Sequence, residues 1–364
     1  MLIYTMLALS FFMSFDIAGH FIFSKPVVAM HVKLDSLYVF AQDEMVVINT
    51  NGEIVRRCKL EKNIDAVYFF EKDFYYTSFK RYTVGKLISC RDMRELKLGD
   101  APGITLDVKK VRRIMYDYQN FRPYFLGNSI WMWSNKKMLY RILLDSFQVE
   151  DSLILEDSVN FITMNERFLI KTFDSGVSIL DRMSQNVRFL SLRGIAYMPV
   201  VIDSFVFLIT QDSCLVFNLN DCRLIKGIQE SGVNLIKKYG DYFLFFKDNP
   251  FDSTNSGIMI LNKDFKVVAT FKIKNYPPFP SCVSSDTLIL GSGCKMYWIN
   301  LGDGDVVDSL VLSFSKKKVS FLEKIISSIT SSHLLQHTVI SQICTFDSFA
   351  VVSGGREVYL IKRI

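Results

Sequence analysis

The sequence predicts an all-β protein, a β-propeller of eight four-stranded blades, with seven blades as the alternative count. The first observation is a recurring step. Eight times a short polar pair or triplet is followed at once by an apolar, aromatic run, with landmarks at Leu37, Phe74, Ile130, Phe168, Phe205, Tyr242, Leu288 and Phe349. These lie 37, 56, 38, 37, 37, 46 and 61 residues apart, so four of the seven intervals are 37 or 38 and the other three are lengthened by insertions. A period near 40 built from short strands is the mark of a propeller. The second observation is an Asn or Asp that recurs after a further strand, in Ile48-Asn49, Leu180-Asp181, Phe217-Asn218, Leu261-Asn262 and Ile299-Asn300. Its side chain is placed to hydrogen-bond the backbone of the turn into the fourth strand.

The first repeat shows why four strands are expected. Pro26–Leu34, Leu37–Ala41, Met45–Asn49 and Glu53–Leu60 have strand length and β-branched or aromatic content, and turn residues part them. The last repeat offers only three strands, at about His337–Phe346, Phe349–Ser353 and Val358–Lys362. A blade lacking its outer strand leaves unpaired backbone groups. The spare segment Ile17–Ser24 is expected to supply that strand and close the ring.

Composition suits one large repeat domain over residues 16–364. The chain is 49% hydrophobic and 14% aromatic, with 31 Phe and 16 Tyr among 364 residues, enough to bury a large core. Lys and Arg number 43 against 37 Asp and Glu, a net charge of +6, which is far from the lopsided balance of a dedicated nucleic-acid binder. Seven cysteines, an odd count, include no C-x-x-C, and no Asn opens a glycosylation site. Both features suit a reducing cytoplasmic or nuclear setting. Residues 1–15 pull the other way. Leu2–Phe15 carries no charge and has the length of a signal-peptide apolar core, though no Lys or Arg precedes it. It is read as a leader or an extra strand, and a signal peptide over residues 1–19 would send the chain to the secretory pathway.

The run Leu288–Leu301, LILGSGCKMYWINL, resembles the second and third strands of the WD-repeat family, and Ala350–Leu360, AVVSGGREVYL, resembles them again. The Trp-Asp dipeptide is missing, with Ile299-Asn300 in its place, and so is the Gly-His pair. The resemblance implies a divergent member with the propeller fold. Propellers with other blade signatures, such as the quinoprotein-like ones, stay open at the level of fold.

Three insertions carry the functional reading. Residues 98–112 and 313–336 join an outer strand to the next inner strand, and residues 248–256 join a second strand to a third. In antiparallel four-stranded blades both kinds of connection emerge at the same end, and long loops on a rigid scaffold tend to carry function. Two of them are basic, through Lys109, Lys110, Arg112 and Arg113 and through Lys316, Lys317 and Lys318. Val319, Leu322, Ile325, Ile326 and Ile329 then follow at helical spacing, which predicts a short amphipathic helix over 319–331. Its polar face is Ser/Thr-rich, which suits a protein surface better than a membrane. Lys109, Lys110, Arg112, Arg113, Lys316, Lys317, Lys318, Leu322 and Ile326 are therefore the candidate partner-binding residues.

Nothing in the sequence calls for catalysis or a cofactor. His20, His31, His333 and His337 have no metal-ligand spacing, and there is no G-x-S-x-G and no phosphate loop. The sequence reads as a non-enzymatic scaffold that binds protein partners, acidic ones included, in an intracellular assembly. It has no transmembrane segment, no nucleic-acid signature and no implied small-molecule ligand. The alternatives are a secreted or organelle-lumen propeller, and a ligand-binding or catalytic propeller that uses the central channel.

Overall fold

The computed structural model describes residues 15–60, 64–70, 73–80, 84–89, 95–99, 124–133, 138–146, 148–155, 159–192, 198–210, 212–247, 257–272, 280–314 and 340–363. Among these residues all regular structure is extended, and it forms eight four-stranded antiparallel sheets. The chain divides into two units, residues 1–59 with 276–364, and residues 60–275.

The first unit opens with β1 (Phe15–Ile22), followed by a sheet of β2 (Val27–Lys33), β3 (Ser36–Ala41), β4 (Glu44–Asn49) and β5 (Ile54–Lys59). Five sheets make the second unit. They are β6 (Ile64–Phe70), β7 (Asp73–Lys80), β8 (Val84–Ser89) and β9 (Glu95–Gly99), then β10 (Tyr124–Leu126), β11 (Ser129–Trp133), β12 (Met138–Leu143) and β13 (Val149–Ile154). Next come β14 (Phe161–Met164), β15 (Phe168–Phe173), β16 (Gly176–Asp181) and β17 (Val187–Ser191), and β18 (Met198–Ile202), β19 (Phe205–Ile209), β20 (Cys214–Asn218) and β21 (Leu224–Ile228). The unit ends with β22 (Val233–Tyr239), β23 (Tyr242–Lys247), β24 (Gly257–Leu261) and β25 (Val267–Phe271). The chain returns to the first unit with β26 (Ser281–Ser284), β27 (Thr287–Ser292), β28 (Lys295–Asn300) and β29 (Val306–Val311). Finally β30 (Gln342–Phe346), β31 (Phe349–Gly354) and β32 (Glu357–Arg363) form a sheet whose fourth member is β1, in the order β1-β32-β31-β30. The N-terminal segment thus supplies the strand that the last repeat lacks.

The polar steps are the turns between first and second strands. Lys33 pairs with Ser36, Leu126 with Ser129, Ile202 with Phe205, Tyr239 with Tyr242, Ser284 with Thr287 and Phe346 with Phe349, which leaves two-residue loops. Each loop starts on a left-handed residue, Leu34, Gly127, Asp203, Gly240, Ser285 or Asp347, at φ between 52° and 55°. Such tight hairpins match strand twist and favour Gly, Asn and Asp. The Asn or Asp after the third strand behaves as its position predicts. Asn49 Oδ1 accepts from the amides of Asn51 and Glu53, Asp181 Oδ1 from Met183 and Ser184, and Asn262 Oδ1 from Asp264 and Lys266. Asn218 and Asn300 each hold one amide, that of Asn220 and of Gly302.

Within each unit the core lies between neighbouring sheets. Phe207, Val216, Phe243, Phe245 and Leu261 form one cluster, and Leu37, Val39, Val46, Val351, Val358 and Leu360 form another. Second strands have neighbours on both faces, so Val206, Phe207, Leu208 and Ile209 are buried in succession with no alternation. Of the rings that open second strands, Phe168 is buried, whereas Phe205 and Tyr242 are half-buried. They sit beside the turn, one pair of residues short of the packed centre. Fourth strands are edges, and β13 is exposed along its whole length.

A side chain joins two sheets of the first unit. β2 is bulged at Val28, and the Gln342 amide donates to the Val28 carbonyl while its Oε1 accepts from the Met30 amide at 2.7 Å. Gln342→Leu leaves both backbone groups unpaired and is expected to destabilise the protein by about 2 kcal/mol. Denaturant unfolding measures this, and a loss under about 0.5 kcal/mol would mean that water replaces the amide at no cost.

Candidate functional site

All nine sequence-predicted partner residues, Lys109, Lys110, Arg112, Arg113, Lys316, Lys317, Lys318, Leu322 and Ile326, lie outside the described residues, as do the segment 319–331, for which the sequence predicts a helix, and the 248–256 insertion. What the structure describes is how these segments are rooted. Residues 248–256 interrupt a hairpin whose last pair is Lys247 with Gly257, and the Lys247 ammonium meets Glu230 at 2.7 Å.

The insertion after β29 has a more elaborate root. Its entry and exit tie to one turn, since the Leu312 amide donates to the Cys294 carbonyl and the Ile340 amide to the Gly293 carbonyl, both at 2.8 Å. Gly293 takes a left-handed φ of 59° there. Two further glycines make room for the side chains that follow. A methyl group at Gly354 would collide with the Phe314 ring, and one at Gly291 would lie 2.7 Å from Ile340. Phe314 and Ile340 are buried in one cluster with Trp298 and Tyr359. Gly291 and Gly354 belong to the runs that resemble WD repeats, and close packing of the connecting segments explains them.

A polar cluster lies under this root. Glu357, 4% exposed, has His20 Nε2 at 3.0 Å from Oε2 and the Tyr359 hydroxyl at 2.8 Å from the same oxygen. The Tyr359 hydroxyl also lies 2.7 Å from the Ser313 carbonyl. The His20 ring stacks on Tyr359 with centroids 4.3 Å apart and 8° between planes, and Phe314 meets Tyr359 edge-on at 5.5 Å. Burial and the Glu357 carboxylate push the Tyr359 phenol above its usual range, so it keeps its proton. Sequence reasoning missed this cluster. His20 and Glu357 are 337 positions apart, and only the pairing of the first strand with the last brings them together.

A second polar group lies in the other unit, beside the turn between β14 and β15. Arg167 donates Nε and Nη2 to Asp181 at 3.0 and 2.8 Å and Nη1 to Asn220 at 3.2 Å, which joins two sheets. The bond from Arg167 holds the Asp181 carboxyl down to about 2. Arg182 lies over the Trp131 ring at 4.7 Å and donates to the carbonyls of Asn165 and Glu166. Each of these groups has a partner within the fold, and their arrangement is that of inter-sheet ties. Among the described residues no group of three His, Cys, Asp or Glu could hold a metal ion, and no helix is long and apolar enough to cross a membrane.

No family model and no curated protein matches the sequence. Solved structures do. BamB from Moraxella catarrhalis, a β-propeller, superimposes with a TM-score of 0.59 at 8% identity, over 96% of this chain and 100% of that one. The fold is a WD-like β-propeller. The computationally designed Ika8 protein gives 0.60 at 11% identity, over 93% and 96% of the two chains. Kluyveromyces lactis Hsv2, a WD40 propeller, gives 0.54 at 8% identity, over 79% of this chain and 99% of that one. The propeller's eight sheets are its blades, and β1 is the outer strand of the eighth.

Proposed function

We propose that this propeller is a non-enzymatic scaffold that binds protein partners in an intracellular assembly through the blade ends that bear its insertions. The observation that carries the reading is the root of the 315–339 segment. The residues that flank it, Leu312, Phe314 and Ile340, are bonded to the Gly293-Cys294 turn or packed onto glycines, so a segment whose sequence carries a lysine run and an apolar stripe departs from a rigid base. The lysines Lys316, Lys317 and Lys318 favour an acidic partner, and Lys109, Lys110, Arg112 and Arg113 add a second basic segment. A reducing compartment is supported by the cysteines. None of the six described ones is in a disulfide, and burial pushes the Cys214 thiol up to about 12.

The test begins with a partner co-purified from the native source. Replacing Lys316, Lys317 and Lys318 by Gln is expected to slow association roughly ten-fold at low salt and to flatten its salt dependence, because exposed charges steer more than they hold. Leu322→Asp with Ile326→Asp is expected to abolish binding at an unchanged melting temperature. Unfolding by that pair would make the stripe part of the propeller's own packing, and undiminished binding would place the partner elsewhere.

A further inference from the structure

The geometry points to a carboxylate-binding site between the third and fourth blades, formed by the Nε and Nη2 edge of Arg182 where its guanidinium lies over Trp131. Arg182 follows β16, and its Nη1 donates to the carbonyls of Asn165 and Glu166 at 3.3 and 3.1 Å. Those bonds hold the guanidinium over the Trp131 ring of β11, 4.7 Å from the centroid. No acceptor among the described residues meets the Nε and Nη2 of Arg182. The same blade shows what such an edge takes. Arg167 also gives Nη1 to an oxygen of the fold, that of Asn220 at 3.2 Å, and its Nε and Nη2 both donate to the Asp181 carboxylate, at 3.0 and 2.8 Å. Two parallel N–H groups in a fixed plane fit a carboxylate and bond it strongly because both partners are charged.

The charge around the ring calls for an anion. Arg141 of β12, paired with Trp131 across the strands, brings a second guanidinium to 5.9 Å from the same centroid. Glu150 matches Arg141 at 2.8 Å and Asp181 is taken by Arg167, while Glu166 gives Arg182 only its backbone carbonyl. Two cations therefore share one ring, and only one of them has a carboxylate. Burial, and after it the charge of Arg141, lowers the Arg182 pKa, as expected of a cation that the described residues do not compensate. The Trp131 Nε1 is buried and has no acceptor among the described residues either, so no oxygen offsets the positive edge of the indole. Arg182 is half-buried, so part of the residue stays within reach of solvent. A carboxylate arriving there supplies the missing charge, and the two carbonyls that already fix Nη1 mean that the side chain gives up little freedom on binding. The site uses none of the insertion residues and stands apart from the scaffold reading.

Titration of the full-length protein at low, constant chloride tests it with two probes, succinate and a terminally blocked peptide of alternating Glu and Gly. NMR follows the Arg182 Nε–H and Trp131 Nε1–H resonances. Both are expected to shift and to saturate, with a Kd on the order of 1 mM. Saturation by both probes would show that a free carboxylate suffices, and saturation by the peptide alone would assign the site to acidic protein segments. Arg182→Lys keeps the charge and loses the paired donors, so it should weaken binding roughly ten-fold, read at Trp131. Arg182→Gln should abolish binding. Arg188→Gln removes a cation of the same blade that donates to the Asn220 carbonyl, and it should leave binding unchanged. No saturation by either probe up to about 50 mM overturns the proposal. Wild-type affinity in Arg182→Lys, or an equal loss in Arg188→Gln, overturns it as well. If Arg182→Gln does not fold, the other two variants still decide.

Discussion

Phe207→Ala is expected to cost about 3–5 kcal/mol, the range for removing a fully buried Phe. The ring is 0% exposed and packs against three others, Phe243 at 5.3 Å and Phe245 and Phe265 at 5.9 Å between centroids. It lies between the fifth and sixth blades, and neighbours on both faces leave little room for the site to collapse into the cavity. Phe205→Ala, two residues earlier and half-buried, is expected to cost only about 1–2 kcal/mol. Denaturant unfolding of the two variants measures the contrast. Equal losses would show that burial along β19 does not rise from the turn toward the centre.

Deleting residues 1–24 is expected to lower the melting midpoint by on the order of 10 °C, taking a loss of about 5 kcal/mol at roughly 2 °C per kcal/mol for a chain of this size. The deletion removes β1, whose register with β32 runs from Phe15 opposite Arg363 to Ile22 opposite Glu357. It also removes the Phe15 ring stacked 4.5 Å from Trp298 and the buried Phe23, and it leaves Glu357 without His20. A truncated protein that melts like the full chain would show that β32 does not need β1 as its neighbour.

The fold was legible because the blade repeats its turns more faithfully than its core. Leu37, Phe74, Ile130, Phe168, Phe205, Tyr242, Leu288 and Phe349 all fall in the first two residues of a second strand. The left-handed hairpin before most of them admits few residue types, so the polar step survives where apolar residues interchange. Asn49, Asp181, Asn218, Asn262 and Asn300 were readable for the same reason, since a short side chain must reach an amide two residues on. Burial is less legible at Phe205 and Tyr242, which are half-buried. A residue that opens a strand belongs to the turn as much as to the core, and no periodicity separates the two when both faces are covered. The cluster of His20, Glu357, Tyr359 and Ser313 left no local trace, because its members meet only through strand pairing across the length of the chain. The lysines of the insertions are in the opposite position, conspicuous in sequence and outside the described residues.

The eighth blade, built from both ends of the chain, sets the order in which the protein can be made. His20 leaves the ribosome 337 residues before Glu357, an interval of roughly 20–70 s at ordinary elongation rates. Through that interval β1 has an apolar face and an open edge and nothing to pair with. The pairing of β1 with β32 therefore becomes available only once β32 has been made. Until then Phe15 and Phe21, which the folded protein half-buries, stay uncovered. A chaperone that holds the nascent N-terminus would act on these residues.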